Sequence, residues 1–198
     1  LDFKDGGRLK IYLVRHGQTT WSLSGQHTGA TDIPLTAHGE EEARRLRPRL
    51  DPIPFTHVFS SPRARALRTC ELACAAMPTE VEPDLAEWNY GEYEGLRGAE
   101  ILARKPGWDI FNDGCPGGES PAQIAARADR LIQRLRALDG DVALFSHGHF
   151  SRVLTTRWLD APIAFGKHLS LATGSLSVLG FDPHHPENAV LELWNATS

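Results

Sequence analysis

An apolar run at residues 9–15, LKIYLVR, ends in Arg15-His16-Gly17: a cation beside a titratable ring beside a residue with no side chain. Two other apolar runs end in comparable clusters. HVFSS (57–61) leads into Pro62-Arg63, and DVALFSH (141–147) ends in His147. If the three runs are neighbouring strands, Arg15, His16, Arg63 and His147 meet in one pocket rich in hydrogen-bond donors. The matching ligand is a dianionic phosphoryl group, which guanidinium groups grip in a forked geometry. A pocket that only held an anion would need the cations alone; the imidazoles add nucleophilic or acid–base capacity. A histidine ringed by cations is held neutral, because a second positive charge there is unfavourable. The neutral ring keeps the lone pair that attack requires.

The elements that would position these groups are well punctuated. Residues 9–15 are apolar enough for a central strand. LTAHGEEEARRLRPRL predicts a helix with Thr36 as its N-cap and Glu40 to Glu42 near the positive end of its dipole. Ser61 reads as the cap of a helix with Pro62 at its first position and Arg63 at its second, running through ARALRTCELACAAM. A short strand around residues 80–82 precedes EWNYGEYEGLRG, an ordered loop, and WDIFNDGCPGGES, which is further loop. Ser120-Pro121-Ala122-Gln123 is a capping box that starts a helix with one apolar stripe: Ile124, Ala128, Leu131, Leu135 and Leu138. After the strand at 141–147 come a helix in HFSRVLTTRWLD and a closing hairpin of GSLSVLGFD and AVLELWN. Strands alternating with capped helices predict an α/β three-layer sandwich. Its central sheet is mainly parallel, with helices on both faces, a C-terminal antiparallel hairpin, and one domain over residues 1–198. Such sheets bind ligands at the carboxyl ends of their strands, where the clusters lie.

The bulk numbers bound the reading. A chain of 198 residues, 41% hydrophobic and 23% charged, suffices for one domain with a full core. A net charge of −4 argues against a sequence-independent nucleic-acid binder. No apolar run approaches bilayer length, and LDFKDGGRLK has no apolar signal segment; its Gly-Gly and missing Met suggest a trimmed start. Cys70, Cys74 and Cys115 do not make an even disulfide set, and Cys70 and Cys74, one helical turn apart, read as buried thiols. That usage fits a reducing, cytoplasmic compartment. His147 and His149 form an H-x-H pair, but a third ligand at suitable spacing is missing, so no metal is expected. His149 on its own reads as structural.

RHGQTTWS, SSPRARALRT, AEWNYGEYEG and FSHGHFSR occur in the order and at roughly the separations seen in the histidine phosphatase superfamily, the phosphoglycerate-mutase-like enzymes. The chain resembles that family over nearly its whole length. The resemblance implies that His16 is the nucleophile that becomes a phosphohistidine and that Arg15, Arg63 and His147 form the phosphate pocket. It implies that Glu87 gives a proton to the leaving oxygen; Glu92 and Glu94 stay open as alternatives. Ser22 stands where many relatives carry an Asn that touches phosphate. Gly17 would let the backbone pack closely, and by the same resemblance its carbonyl fixes the tautomer of His16. His27, Thr28 and Arg152 resemble positions that touch the non-phosphate part of the substrate in the sugar-bisphosphatase-like branch. Trp88, Tyr90, Tyr93 and Trp108 are either core or a wall of the leaving-group pocket, and Tyr90 is counted among the substrate-binding residues.

Arginines and backbone donors can supply the stabilisation of a phosphoryl transition state that Mg²⁺ supplies in kinases, so no metal or other cofactor is implied. Mutases of this superfamily are longer and carry a basic insertion between the acid motif and the final SHGH strand. Here the stretch from Glu87 to Ser146 is short, with only Arg97, Arg104 and Lys105 before PGGES. The expected activity is metal-independent hydrolysis of small phosphomonoesters, sugar phosphates leading, as in the broad-specificity and sugar-phosphate group. The alternatives are a 2,3-bisphosphoglycerate-dependent phosphoglycerate mutase and a catalytically silent phosphate-binding module. The silent module would have lost the nucleophile, an arginine or the acid, and all are present. The expected partner is a small phosphomonoester, with neither nucleic acid nor membrane; a homodimer is left open.

Overall fold

Alternate residues of the strands feed two different cores, and that alternation builds the sheet. The computed structural model describes residues 9–74 and 77–197. In chain order the first half holds β1 (Lys10–Arg15), α1 (Thr20–Ser24), α2 (Ala37–Leu50), β2 (Phe55–Ser60), α3 (Ala64–Ala73) and β3 (Glu80–Val81). The second half holds α4 (Gly98–Arg104), α5 (Ile110–Asp113), α6 (Pro121–Leu135), β4 (Asp141–Ser146), α7 (Gly148–Trp158), β5 (Leu176–Phe181) and β6 (Ala189–Ala196). The strands lie in the order β3-β2-β4-β1-β5-β6. β3, β2, β4 and β1 are parallel, while β5 runs antiparallel to β1 and β6 to β5. This is the α/β sandwich with a closing hairpin that the sequence predicts.

Ile11, Leu13, Val142 and Leu144 face one core, shared with Ile124, Leu131 and Leu135 of α6 and Phe150 and Leu154 of α7. Val14, Ala143 and Phe145 face the other, with Leu46 and Leu50 of α2 and Cys70 of α3. Each fully buried aliphatic side chain contributes roughly 1.5–3 kcal/mol. β4 lies between β1 and β2, with Arg15 opposite Ser146 and Ser60 opposite Phe145. The residues that follow these strands are therefore delivered to one edge of the sheet.

Thr36 caps α2, accepting the Gly39 N–H at 3.0 Å, and Ser120 and Gln123 form the expected capping box of α6. The start of α3 is different. The helix begins at Ala64 with Arg63 as N-cap, so Pro62 lies outside it. Asp32 Oδ1 accepts the Ala64 N–H at 2.8 Å, and the Ser61 hydroxyl is engaged by His147 at 2.7 Å. α3 ends at Ala73; the expected extension over Ala75 and Ala76 lies outside the described residues, and Met77 is not helical. Three short helices lie where the sequence predicts none: α1, α4 and α5. α5 falls in a stretch read as loop, where Asp109 caps it by accepting the Phe111 N–H at 3.0 Å.

Gly17 shows why the strand end carries no side chain. A Cβ built there would lie 2.2 Å from the Gly39 carbonyl oxygen, and a Cβ on Gly39 would lie 2.1 Å from the Gln18 carbonyl oxygen. Two glycines let the turn after β1 touch the first turn of α2, while the Gly17 N–H donates to Thr69 Oγ1 of α3 at 3.0 Å. Gly17→Ala should therefore cost about 1–3 kcal/mol by overpacking. Gly98→Ala, where a Cβ meets nothing within 4 Å, should stay within about 0.5 kcal/mol of the parent. Chemical denaturation of both variants measures the difference.

Candidate active site

His16 is 5% exposed and held by its backbone on two sides: its N–H donates to Ser146 O at 3.0 Å, and its carbonyl accepts the Gly174 N–H at 3.1 Å. The ring Nδ1 lies 2.7 Å from the carbonyl oxygen of Gly17. A carbonyl only accepts, so Nδ1 carries the proton, and Nε2 presents its lone pair to the cavity. Burial, then the charges of Arg65 and Arg15, hold this imidazole well below its ordinary pKa. The Gly17 carbonyl sits where the expected tautomer needs it, and burial, more than the cations the sequence points to, keeps the ring neutral.

Arg15 points its guanidinium along the same wall. Nη1 donates to Leu171 O, and Nε is buried with no hydrogen-bond partner among the described residues. Such an orphaned donor costs about 1–3 kcal/mol unless a ligand accepts from it. His147, completely buried, stands behind His16 with ring centroids 5.2 Å apart. Its Nε2 donates to Ser61 Oγ at 2.7 Å, and its Nδ1 accepts from Arg65 Nε at 3.2 Å. Burial first, then Arg65, His16, Arg15 and Arg63, depress its pKa strongly.

The cation behind the two imidazoles is thus Arg65, which sequence reading passed over. Its Nη atoms donate to Thr31 O at 3.0 Å, Thr28 O at 2.9 Å and Gly29 O at 3.1 Å. Arg63 is not on this wall. It lines a separate cavity of about 280 Å³ with Glu87, Asn89, Glu119 and Arg127. Arg63 and Arg65 diverge because Arg63 is the extended N-cap of α3, whereas Arg65 lies in its first turn and turns inward.

Glu87 is 8% exposed and sits at the start of α7. Its Oε1 accepts the N–H groups of Trp88 and Phe150, both at 2.8 Å, and Oε2 accepts that of His149 at 3.0 Å. Of the three candidate carboxylates, Glu87 alone lines the cavity of about 200 Å³ that also exposes Arg15 and His16. Glu94 instead accepts the Gly29 and Thr31 N–H groups, bracing the loop that holds Arg65, and Glu92 is exposed.

Ser22, His27, Thr28, Tyr90 and Arg152 all line the same cavity. The Ser22 hydroxyl donates to Thr19 O at 3.0 Å within the cap of α1, so its proton is already engaged. His27 Nδ1 donates to Leu96 O at 2.8 Å, leaving Nε2 as an acceptor. Arg152 Nε donates to Gly166 O at 2.8 Å, and its guanidinium lies 4.7 Å over Phe111. His149, which the sequence left as structural, is also on the wall. It bonds Tyr90 Oη through Nδ1 at 2.7 Å and stacks parallel to His27 at 5.9 Å. Burial, then Arg152, His27 and Arg15, keep His149 well below the usual histidine pKa. Among the aromatics, Trp88 and Tyr93 are core, Tyr90 is wall, and Trp108 backs His27 edge-on at 5.6 Å. Among the described residues no group of three or more His, Cys, Asp or Glu is placed to hold a metal ion, and no helix is long and apolar enough to cross a membrane.

The family model of the histidine phosphatase superfamily (branch 1) matches residues 11–197. An acid phosphatase of Mycobacterium tuberculosis is 41% identical over 192 residues, covering 93% of this chain and 92% of its own. A sedoheptulose 1,7-bisphosphatase of Saccharomyces cerevisiae is 38% identical over 181 residues, covering 75% of this chain and 67% of its own. The solved structure of an open reading frame product of Mycobacterium tuberculosis superposes with a TM-score of 0.86 at 38% identity, over 95% of this chain and 97% of that one. The chain belongs to the histidine phosphatase superfamily, branch 1. It is an enzyme of the phosphatase type.

The three depressed histidines make stability pH-dependent with a definite sign. Above about pH 6.5 the imidazoles are neutral in folded and unfolded chains alike, and their burial contributes in full. Below that, the unfolded chain takes up protons that His16, His147 and His149 refuse in the fold, so stability falls as pH falls. Urea midpoints should hold between pH 8 and 7 and decline from about pH 6.5 to 5, with net proton uptake on unfolding across that window.

Proposed function

We propose that this chain is a metal-independent phosphomonoester hydrolase that works through a phosphohistidine on His16 and acts on small phosphorylated metabolites. The observation that carries the reading is the bond from His16 Nδ1 to Gly17 O, which leaves a neutral Nε2 beside an Arg15 donor that has no partner among the described residues. In the first step Nε2 attacks phosphorus, the P–O bond to the leaving group breaks, and the Glu87 carboxyl gives its proton to the departing oxygen. The three N–H groups on Glu87 stabilise the carboxylate so formed. In the second step that carboxylate takes a proton from water, hydroxide attacks phosphorus, and the P–N bond breaks to release orthophosphate and neutral His16. Arg15 meets the equatorial charge throughout, with Arg65 and His147 behind it.

The cavity of about 200 Å³ favours a phosphoryl group with a small leaving group. His27, His149, Tyr90 and Arg152 offer that group donors and acceptors rather than an apolar slot, which suits a hydroxylated carbon chain. The acid phosphatase and bisphosphatase names of the relatives point the same way. The free, buried Cys70, Cys74 and Cys115 suit a reducing cytoplasm.

His16→Ala should abolish turnover, and acid-sensitive, alkali-stable phosphohistidine should be trapped by rapid quenching of the parent. A parent that never forms the adduct, beside an alanine variant of equal activity, refutes the mechanism. Excess chelator should leave the rate unchanged, and phosphate release should exceed isomerisation of 3-phosphoglycerate with or without 2,3-bisphosphoglycerate.

Glu87→Gln should slow sugar phosphates by roughly 10²–10⁴-fold and p-nitrophenyl phosphate much less in the first step, since nitrophenolate leaves without help. Equal slowing of adduct formation for both substrates removes Glu87 from the acid role.

A further inference from the structure

Glu42 on α2 is a half-buried carboxylate to which the proposed chemistry gives no task. Its two oxygens reach two different segments. Oε2 accepts the Gln18 N–H at 2.7 Å, and Oε1 accepts the Thr173 hydroxyl at 3.0 Å. Gln18 ends the turn that carries His16. Thr173 belongs to the 171–175 loop, which wraps the same turn from the other side.

That loop makes three bonds to the two residues at the centre of the site. Leu171 O accepts from Arg15 Nη1, Ser175 O accepts the Arg15 N–H at 3.1 Å, and the Gly174 N–H donates to His16 O at 3.1 Å. Gly174 has φ +59°, and a Cβ there would lie 2.6 Å from Glu42 Cβ, so the loop closes directly onto this side chain. The titratable groups near the carboxylate are Arg15, whose protonated form it favours from a distance, and the His38 imidazole, whose Nε2 is 3.4 Å from Oε1. Arg15 itself does not bond Glu42, and Nε of Arg15 stays free for a ligand.

We infer that Glu42 is a positioning residue for the proposed phosphoryl transfer: by bonding Gln18 and Thr173 together it sets where the Arg15 guanidinium stands relative to His16 Nε2. The inference rests on the phosphohistidine reading. Without the tie, the 171–175 loop keeps its bonds to Arg15 but loses its anchor on α2, and the guanidinium drifts with it. Displacements of about 1 Å in a positioned group cost up to 10²-fold in rate.

The test compares Glu42→Ala and Glu42→Gln with the parent on p-nitrophenyl phosphate, with rates expressed per competent site counted from the quenched phosphoenzyme burst. Glu42→Ala should lower kcat per site by about tenfold or more while KM moves by less than about threefold. Glu42→Gln should return to within about threefold of the parent, because its amide oxygen can accept the Gln18 N–H and its amide nitrogen can donate to Thr173 Oγ1. An alanine variant as fast per site as the parent overturns the inference, as does a glutamine variant as slow as alanine. Should Glu42→Ala not fold, Thr173→Val and Thr173→Ser read the same tie: valine should slow each site and serine restore it, and equal rates overturn the inference. Failure of the underlying reading shows separately, as a parent that forms no phosphoenzyme, and it removes the inference too.

Discussion

The hydrogen bond between His16 Nδ1 and the Gly17 carbonyl is the constraint on which the site depends. It assigns the tautomer, and with it the nitrogen that can attack. The acceptor is the adjacent peptide, so ring and carbonyl can only meet if the backbone turns sharply after β1. The turn is held on both sides: Thr69 takes the Gly17 N–H, and Gly39 presses against Cα of Gly17 closely enough to exclude any side chain. The absence of a Cβ in Arg15-His16-Gly17 is therefore a statement about α2 and α3, not only about local flexibility. The nucleophile is set by how two helices pack on the sheet.

The second constraint is electrostatic. A phosphoryl pocket needs cations that are fixed but not neutralised. Arg65 is held by the carbonyls of Thr28, Gly29 and Thr31, and Arg15 by that of Leu171; carbonyl dipoles satisfy guanidinium donors without cancelling the charge. Arg127 illustrates the opposite arrangement. It forms a two-pronged pair with Glu119 and braces the backbone around Glu87, a structural role in which neutralisation does no harm. Burial first, and then the charges of Arg65 and Arg15, keep the two imidazoles unprotonated. The cost is a site that loses stability in acid, and the return is a nucleophile already in its reactive form.

Much of this was legible in the sequence because it is local or periodic. The alternation in LKIYLVR and DVALFS, the caps at Thr36 and Ser120, and the clusters at strand ends specify the sheet, its flanking helices and the edge where His16 and His147 meet. What was not legible depended on a partner distant in sequence. Ser61 looks like a helix cap because Pro62 follows it, but its hydroxyl accepts closely from His147 and only at 3.3 Å from the Arg63 N–H, and the helix starts later, at Ala64. That shift decides which arginine of SSPRAR turns inward, and Arg65 rather than Arg63 stands behind the imidazoles. His149 reads as a structural histidine because an H-x-H pair invites a metal and lacks the third ligand. Its actual partners, Tyr90 and His27, lie in loops whose approach no local pattern encodes.

These distances in sequence also divide the cavity by function. The reacting end is built at strand and helix termini, where parallel pairing fixes Arg15, His16, His147 and, through the first turn of α7, Glu87. The other end is built largely from loops, the 25–28 segment, Tyr90 and Leu171, with Ser22 contributed by α1 and His149 and Arg152 by α7. Side chains on loops can be exchanged without disturbing the sheet register that sets the chemistry, so the fold permits many leaving groups around one phosphoryl step. His27 and His149 mark the seam. The Leu96 carbonyl, which only accepts, makes Nδ1 of His27 a donor, while the Tyr90 hydroxyl, which can donate or accept, fixes the orientation of the His149 ring. A hydroxylated leaving group meets a patterned surface there, and a purely apolar one of similar size leaves those groups unpaired, which is the physical basis for discrimination at this end.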